Sequence, residues 1–216
     1  IYLLTFTGRT DGSTRLAPGN KWDYFPSVGA GWNIHNESFF PESPVSRLKL
    51  RVSWGVTGNQ AIGIGASQER LASGFGVPMS EGWQTTLVYA SFSNPDLGWE
   101  RTAQLNAGID LGLSDNRYRI TIDAYHKKTR DLLINLNLPN STGFDSYATN
   151  AGSISNKGLE LEAYANLVRG TFIWDATATF SLNRNKVVDL SGVEQMVGLK
   201  YFGAYFDQPV NVVQEG

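Results

Sequence analysis

Apolar and polar side chains alternate strictly, with a period of two residues, along several segments of this chain. In residues 47–57 the apolar positions of this alternation are Leu48, Leu50, Val52, Trp54 and Val56. Successive side chains point to opposite faces in an extended strand. The segment is therefore predicted to be a β-strand with one apolar face and an opposite face that carries Lys49 and Arg51.

The same alternation predicts six further strands: residues 1–8, 22–34, 102–113, 117–128, 157–167 and 171–185. Short turns at 114–116 and 168–170 join the last four of these strands into two hairpins. Pro26 lies inside a predicted strand. Because proline has no backbone N–H for the ladder, we expect a bulge or a late strand start at that position.

Short and long connections alternate along the chain. The short connections include residues 35–46, where we expect a turn of helix after Asn36; the long ones are 10–21, 58–100 and about 130–155. An antiparallel up-and-down sheet with every long loop at one end produces this alternation. Barrels of bacterial outer membranes have this arrangement, with short periplasmic turns and long extracellular loops.

The composition agrees with an all-β fold and excludes several functions. The 216 residues include 23 glycines and 12% aromatic side chains, which is typical of strands joined by many turns. The chain has no cysteine, so disulfides and thiolate metal sites are excluded. The net charge of -2 gives no electrostatic footprint for nucleic acid. No apolar run is long enough for a membrane helix, but a spanning strand needs only about ten alternating residues.

The polar faces indicate which way the strands face. They carry mostly Thr, Ser, Asn, Gly and Asp, whereas the outer face of a soluble sandwich usually carries many Lys and Glu. In a membrane barrel, a one-residue slip would turn Lys49 and Arg51 toward hydrocarbon, at about 2–4 kcal/mol each near the midplane. We therefore predict that the apolar faces meet lipid and the polar faces meet an aqueous interior.

Four strings of the sequence resemble the SusC/RagA-type TonB-linked outer-membrane proteins of Bacteroidetes. They are spread in order along the chain as DGSTRLAPGNKWDYFPSVGAGWNI, LKLRVSWGVTGNQAIG, NPDLGWERTAQLNAGIDLGL and NAGSISNKGLELE. The resemblance implies a plugged antiparallel barrel of 22 strands in the bacterial outer membrane. It also implies import of glycans or peptides with energy passed on by TonB, and a SusD-like surface lipoprotein as a lid.

The two ends of the sequence favour an internal piece of a larger protein. The sequence opens on IYLLTFTGR, which reads as strand, and stops at NVVQEG as a new apolar run begins. We expect residues 1–216 to be one segment of the barrel, with the plug, the TonB-contacting segment and the remaining strands supplied elsewhere in the protein. Outer-membrane lipid is then a further partner.

The long connection at residues 58–100 holds the candidate substrate contacts. It combines aromatic and charged side chains suited to sugar or peptide recognition at a barrel mouth: Arg70, Trp83, Tyr89, Asp96 and Trp99. The alternative is that these aromatics pack the loop onto its neighbours or onto the lid protein.

The sequence predicts no enzyme, no metal site and no cofactor. His35 and His126 have no partner at metal-ligand spacing, and we interpret them as a turn residue and a strand-end residue. Glu160 and Glu162 share a strand face, as the carboxylates of a glycosidase do, but their spacing fits a lumen wall as well.

Two other functions remain open at this point. One is a passive, porin-like outer-membrane barrel. The other is a soluble β-sandwich that binds carbohydrate, because a sandwich also alternates apolar and polar side chains.

Overall fold

The computed structural model describes residues 1–80, 82–144, 146–191, 195–197, 200–202, 207–209 and 212–214. The strands are β1 (Tyr2–Gly12), β2 (Trp22–Asn33), β3 (Val45–Asn59), β4 (Arg70–Met79), β5 (Gly82–Ser91), β6 (Glu100–Leu113), β7 (Tyr118–Arg130), β8 (Leu133–Asn137), β9 (Ser146–Asn150), β10 (Ser153–Val168), β11 (Trp174–Asp189), β12 (Gln195–Val197), β13 (Lys200–Phe202), β14 (Asp207–Pro209) and β15 (Val212–Gln214). The described residues also include three 3-10 helices: Pro18–Asn20, Ile34–Asn36 and Asn140–Thr142.

Seven long strands form one antiparallel sheet in the order β1-β2-β3-β6-β7-β10-β11. They correspond to the seven strands that the alternation predicts, and the up-and-down order is confirmed. The two predicted hairpins are β6–β7 and β10–β11, and both pair along nearly their full length. The sheet is therefore a wall of strands in up-and-down order, with every long loop at one end.

The turn between β6 and β7 is tight because three successive residues adopt left-handed backbone angles. Ser114, Asp115 and Asn116 have φ values of 50°, 56° and 61°. Asp and Asn tolerate this region better than most side chains do. The turn between β10 and β11 is longer than predicted, because β11 begins at Trp174 and a register shift separates Asn166 from Val168.

The connection between β2 and β3 contains a helical turn that differs slightly from the prediction. The 3-10 helix covers Ile34–Asn36, so it ends at Asn36 instead of following it. A hydrogen bond from the Glu37 N–H to the Ile34 carbonyl closes it at 3.0 Å. His35 fixes the helix to β3, since its Nδ1 lies 3.1 Å from the Leu48 carbonyl oxygen.

Pro26 causes neither a bulge nor a late start, so that prediction is wrong. Strand β2 begins at Trp22, and Pro26 pairs with Gly8 of β1 in an unbroken register. On its other side, β2 pairs with β3 only over Ser27–Asn33. Pro26, the residue next to Ser27, therefore has no partner on β3. Proline is accommodated because the second neighbouring strand is not paired there.

Two long connections contain hairpins that the alternation did not predict. Strands β4 and β5 pair within the 58–100 connection, and β8 and β9 pair within the next long one. The glycines at 74 and 76 and Pro78 interrupt the pattern of β4, and the register shifts between Ser73 and Gly76. Strands β8 and β9 have five residues each, too few to show a period.

The two faces of the large sheet differ sharply. One face, called here the apolar face, exposes large side chains such as Leu4 (70%), Phe6 (76%) and Phe180 (57%). The other, called the polar face, carries the alternate residues of the same strands. The buried core of the described residues is small and lies at the long-loop end: Leu16, Ala17, Phe25, Ile62, Leu97 and Trp99.

Within the described residues, no helix has the length and apolar character needed to cross a membrane.

Candidate functional site

The polar face is divided into two belts by the strand register. The belt nearer the short turns, called the charged belt, contains Arg47, Arg51, Asp110, Asp123, Glu160 and Glu162. The belt nearer the long loops, called the amide belt, contains Gln104, Asn106, Asn156, Asn183 and Asn185. The polar face thus changes along the strands from mostly charged to mostly amide side chains, with Lys127 in the middle of the amide belt.

The charged belt is centred on Arg51. Its Nε and Nη2 donate to the two carboxylate oxygens of Asp110 at 3.1 and 3.0 Å. Its Nη2 also donates to Asp123 at 3.1 Å, and Arg47 lies 3.8 Å from Asp110. Both carboxyl groups are partly buried, with side-chain exposures of 16% for Asp110 and 31% for Asp123. Bidentate geometry of this kind makes a strong, oriented ion pair.

Gly108 makes this ion pair possible. In the register Gly108 is opposite both Arg51 and Asp123. A Cβ at this position would lie 2.7 Å from Arg51 Nη2 and would also collide with the Asp123 carboxylate. The absence of a side chain therefore leaves the space in which a cation on β3 reaches acids on β6 and β7.

Glu160 and Glu162 lie on β10 beside this network. Glu160 is opposite Asp123, and Glu162 is opposite Thr121. Both glutamates are thus part of a charged wall on the polar face. No group of three or more His, Cys, Asp or Glu side chains in the described residues is arranged to hold a metal ion.

The amide belt lines a groove of about 890 Å³ on the polar face. Gln104 donates to the Asn106 side-chain oxygen at 2.8 Å, and Asn106 donates to Ser53 Oγ at 3.3 Å. Within the described part of the chain, the side-chain amides of Asn156, Asn183 and Asn185 have no hydrogen-bond partner. Each amide offers both donors and an acceptor to whatever occupies the groove.

Tyr125 supplies an aromatic surface in the same groove. It pairs with Gly158 across β7 and β10, and its ring covers the glycine. A Cβ on Gly158 would lie 2.5 Å from Tyr125 Cζ and 2.6 Å from its hydroxyl oxygen. One side of the ring rests on the wall, and the ring remains partly exposed toward the groove.

The small core lies at the long-loop end of the sheet. Phe25 and Trp99 meet edge to face with ring centroids 5.3 Å apart, and Trp99 Nε1 donates to the Lys21 carbonyl at 3.0 Å. Gly58 lies beneath them, because a Cβ there would collide with the Phe25 ring. The loop that precedes β2 and the loop that precedes β6 are therefore packed together at the long-loop end of the sheet.

Asparagines connect the loops as well. The Asn150 side chain donates to the carbonyls of Gly98 and Asp131, both at 3.0 Å, and accepts from the Gly98 N–H at 2.6 Å. Asn94 donates to the Ala148 carbonyl at 2.9 Å. The 58–100 loop is thereby held to the β8–β9 hairpin.

The structure separates the five predicted contact residues into three positions. Arg70, Trp83 and Tyr89 lie on the β4–β5 hairpin, where Trp83 is 78% and Tyr89 59% exposed. Asp96 is exposed in the following turn, and its backbone N–H is bound by Asn94 Oδ1 at 3.0 Å. Trp99 is only 8% exposed, within the small core. The five residues do not form one site.

The sequence alone did not predict the amide belt, although the strand positions of its members are visible in it. Its members all fall on polar positions of predicted strands, but their cross-strand alignment depends on the register. Asn156 is opposite both Lys127 and Asn185, and Gln104 is opposite Lys127. Sequence alternation gives the facing of each residue, while only the ladders show that the amides are adjacent.

Comparisons with known proteins agree on one family. The family model described as "TonB dependent receptor-like, beta-barrel" matches residues 2–212. The chain is 38% identical over 201 residues to the TonB-dependent receptor SusC of Bacteroides thetaiotaomicron, covering 88% of this chain and 20% of SusC. It is 38% identical over 195 residues to the TonB-dependent receptor P26 of Formosa agariphila, covering 89% and 20%.

Solved structures give the same result. A structure of the RagAB peptide transporter matches with a TM-score of 0.81 and 31% identity, covering 90% of this chain and 21% of that one. The RagAB peptide importer in its open-open state matches with a TM-score of 0.83 and 28% identity, covering 100% and 22%. The chain therefore spans about a fifth of the length of the proteins that it matches.

Proposed function

Since this chain belongs to the TonB-dependent receptor β-barrel family, we propose that it forms part of the wall of an outer-membrane barrel that imports a nutrient. The single observation that carries the proposal is the seven-stranded sheet with one apolar face and one polar, grooved face. A wall between lipid and an aqueous passage needs an apolar face on one side and a polar face on the other. In a soluble sandwich a second sheet covers the apolar face, whereas Leu4, Phe6 and Phe180 of this face are exposed.

We place the long loops outside the cell and the short turns in the periplasm. This orientation rests on the family's barrel architecture, in which outer loops are long and periplasmic turns short. The amide belt then faces the outer half of the passage, and the charged belt faces its middle and inner half. The whole of residues 1–216 is proposed to be one barrel segment.

The transported nutrient is proposed to be a glycan or a peptide. Both ligands present many donors and acceptors, and the free amides of Asn156, Asn183 and Asn185 can pair with either. The ring of Tyr125 adds a surface for stacking. RagAB is described as a peptide transporter, which supports the peptide as one of the two classes. Binding and passage require no bond-making chemistry from these side chains.

The partners proposed for the intact protein are a SusD-like lipoprotein lid and TonB. The lid is supported by the similarity to SusC and RagAB. It is also supported by the β4–β5 hairpin, which exposes Phe75 (93%), Trp83 (78%) and Leu87 (70%). An isolated two-stranded hairpin is at best marginally stable in water. A covering partner or substrate would therefore stabilise it, and Arg70, Tyr89 and Asp96 are proposed to contribute to the same contact surface.

Two measurements on the intact protein test this function. The first is extraction and gel migration: a barrel should require detergent and should migrate faster before boiling than after. The second is uptake of labelled oligosaccharides and oligopeptides by cells with and without the gene, before and after the proton-motive force is collapsed. Energised import should stop on collapse. Uptake that continues unchanged would instead identify a passive channel, and release of the protein in buffer alone would contradict the barrel.

A further inference from the structure

On the apolar face, three neighbouring strands change from apolar to basic side chains at the same level of the sheet. Toward the long loops, the change comes after Ala124 on β7, after Leu159 on β10 and after Leu182 on β11. The first basic residues, His126, Lys157 and Arg184, are directly paired across the three strands.

Further cations lie one level nearer the long loops. Lys128 and Lys186 are each paired with Ser155, from opposite sides. Together with Arg130 they complete what we call the basic patch: His126, Lys128, Arg130, Lys157, Arg184 and Lys186. Strands are about 4.8 Å apart and alternate residues about 6.8 Å, so the backbone positions fall within about 10 by 14 Å.

At the level of His126 the basic side chains of the described strands are limited to β7, β10 and β11. On β6 the first cation is Arg101, which is opposite Arg130 and forms an ion pair with Asp23. At the level of His126, strands β6 and β3 carry Leu105 and Trp54. Those strands therefore continue the apolar face where β7, β10 and β11 do not.

The cations of the patch lack acidic partners in the described residues. The ion pairs found there involve Arg9, Arg47, Arg51 and Arg101, and none involves a residue of the patch. Only His126 has a side-chain hydrogen bond, between its Nε2 and Ser155 Oγ at 3.0 Å. Adjacent like charges on a sheet repel each other, so a bound anion would stabilise this surface.

We propose that the basic patch binds the phosphate groups of an anionic lipid in the outer leaflet of the membrane. The proposal rests on the proposed function, because that places the apolar face in lipid and the long loops outside. The acyl chains would lie along Ala124, Leu159 and Leu182, directly below the cations on the same three strands. This continuity favours a lipid over a free anion or an acidic protein, since only a lipid has both parts.

The experiment uses the full-length protein in nanodiscs that contain phosphatidylethanolamine and a small fraction of phosphorylated lipid A. Native mass spectrometry counts the lipid A molecules retained by each variant. The test variant is Lys128→Gln with Lys157→Gln, both on the apolar face. The matched control is Lys127→Gln with Lys49→Gln, which removes two charges from the polar face.

We expect the Lys128/Lys157 variant to retain at least five-fold less lipid A than the wild type, and the control to retain the wild-type amount. Equal retention by the two double variants would overturn the proposal. So would wild-type retention of dephosphorylated lipid A at the same level, because it would exclude phosphate recognition. A lower affinity of the test variant for inorganic phosphate alone, with unchanged lipid A retention, would also overturn it.

The proposed function and this site can fail separately. Gel migration before and after boiling reports whether each variant is a folded barrel. A folded, detergent-extracted wild type without patch-dependent lipid A contradicts the site alone. A wild type that leaves the membrane in buffer contradicts the barrel function and, with it, the lipid site.

Discussion

Arg51 holds two aspartates on two different strands, with its Nη2 3.0 Å from Asp110 Oδ1 and 3.1 Å from Asp123 Oδ2. The interaction therefore fixes β3, β6 and β7 to one another on the polar face. Replacing Arg51 with Met should leave both carboxylates without their main partner. We expect the barrel to lose about 1–2 kcal/mol of stability, since the groups are partly exposed and hydrated.

Denaturant titration of the full-length protein, read from the folded and unfolded gel bands, measures this loss. Lys49→Met is the matched control, because Lys49 lies on the same face of β3 and has no ion pair among the described residues. Equal midpoints for the two variants would contradict the structural role of Arg51.

A side chain at Gly108 should displace the ends of the Arg51 and Asp123 side chains and loosen the ion pair. Alanine at this position would place its Cβ 2.7 Å from Arg51 Nη2 and against the Asp123 carboxylate, and would force the ion pair apart. The expected cost is similar to that of Arg51→Met, and the double variant should cost little more than either single one. Gly29→Ala is the control: its nearest neighbour would be Ser53 Cβ at an ordinary 3.7 Å.

The alternation of the sequence was sufficient to predict the seven strands and the facing of their residues. Sliding any strand by one residue would exchange its two faces, so the pattern determines the facing. Hairpins β4–β5 and β8–β9 were not predictable in this way. The first carries Gly74, Gly76 and Pro78 in one strand, and the second has strands of only five residues.

The candidate site was predicted less well because it depends on pairings between strands. Asn156 and Asn185 are 29 residues apart in the sequence, and only the β10–β11 ladder shows that they are opposite each other. Trp99 illustrates a second limit. Its type suggested recognition, whereas its burial depends on Phe25, which is distant in the sequence. The size and polarity of an aromatic residue do not show whether its side chain is buried in the folded protein.

Which face of the sheet meets lipid can be tested by introducing an arginine on one face of β7 or on the other. Ile122 lies on the apolar face and is 37% exposed, while Thr121 is its neighbour on the polar face. Ile122→Arg should cripple assembly, because a cation facing hydrocarbon costs about 2–4 kcal/mol near the midplane. Thr121→Arg should assemble, since it would lie opposite Asp110 and Glu162. Similar yields of heat-modifiable barrel for the two variants would refute the proposed facing.

The three asparagines at positions 156, 183 and 185 of the amide belt should contribute to transport without contributing to the fold. Changing Asn156, Asn183 and Asn185 together to Ala removes side chains that have no partner in the described residues, so barrel stability should change by less than about 0.5 kcal/mol. Uptake of the transported oligosaccharide or oligopeptide should fall several-fold. Thr179→Ala with Ser181→Ala, deeper on the same face of β11, is the control. Normal uptake by the triple variant would remove the belt from the binding surface.

Trp83 and Trp99 should behave oppositely when changed to Ala. Trp99 is 8% exposed and donates from Nε1 to the Lys21 carbonyl, so its loss should destabilise the long-loop end by about 3 kcal/mol. Faster protease cleavage within residues 58–100 of the folded barrel would report this. Trp83 is 78% exposed, and its loss should leave cleavage unchanged while weakening capture of the proposed lid lipoprotein or the proposed uptake of substrate. If Trp83→Ala loosened the loop as much as Trp99→Ala, the exposed hairpin face would have to be structural, and its role as a contact surface would be wrong.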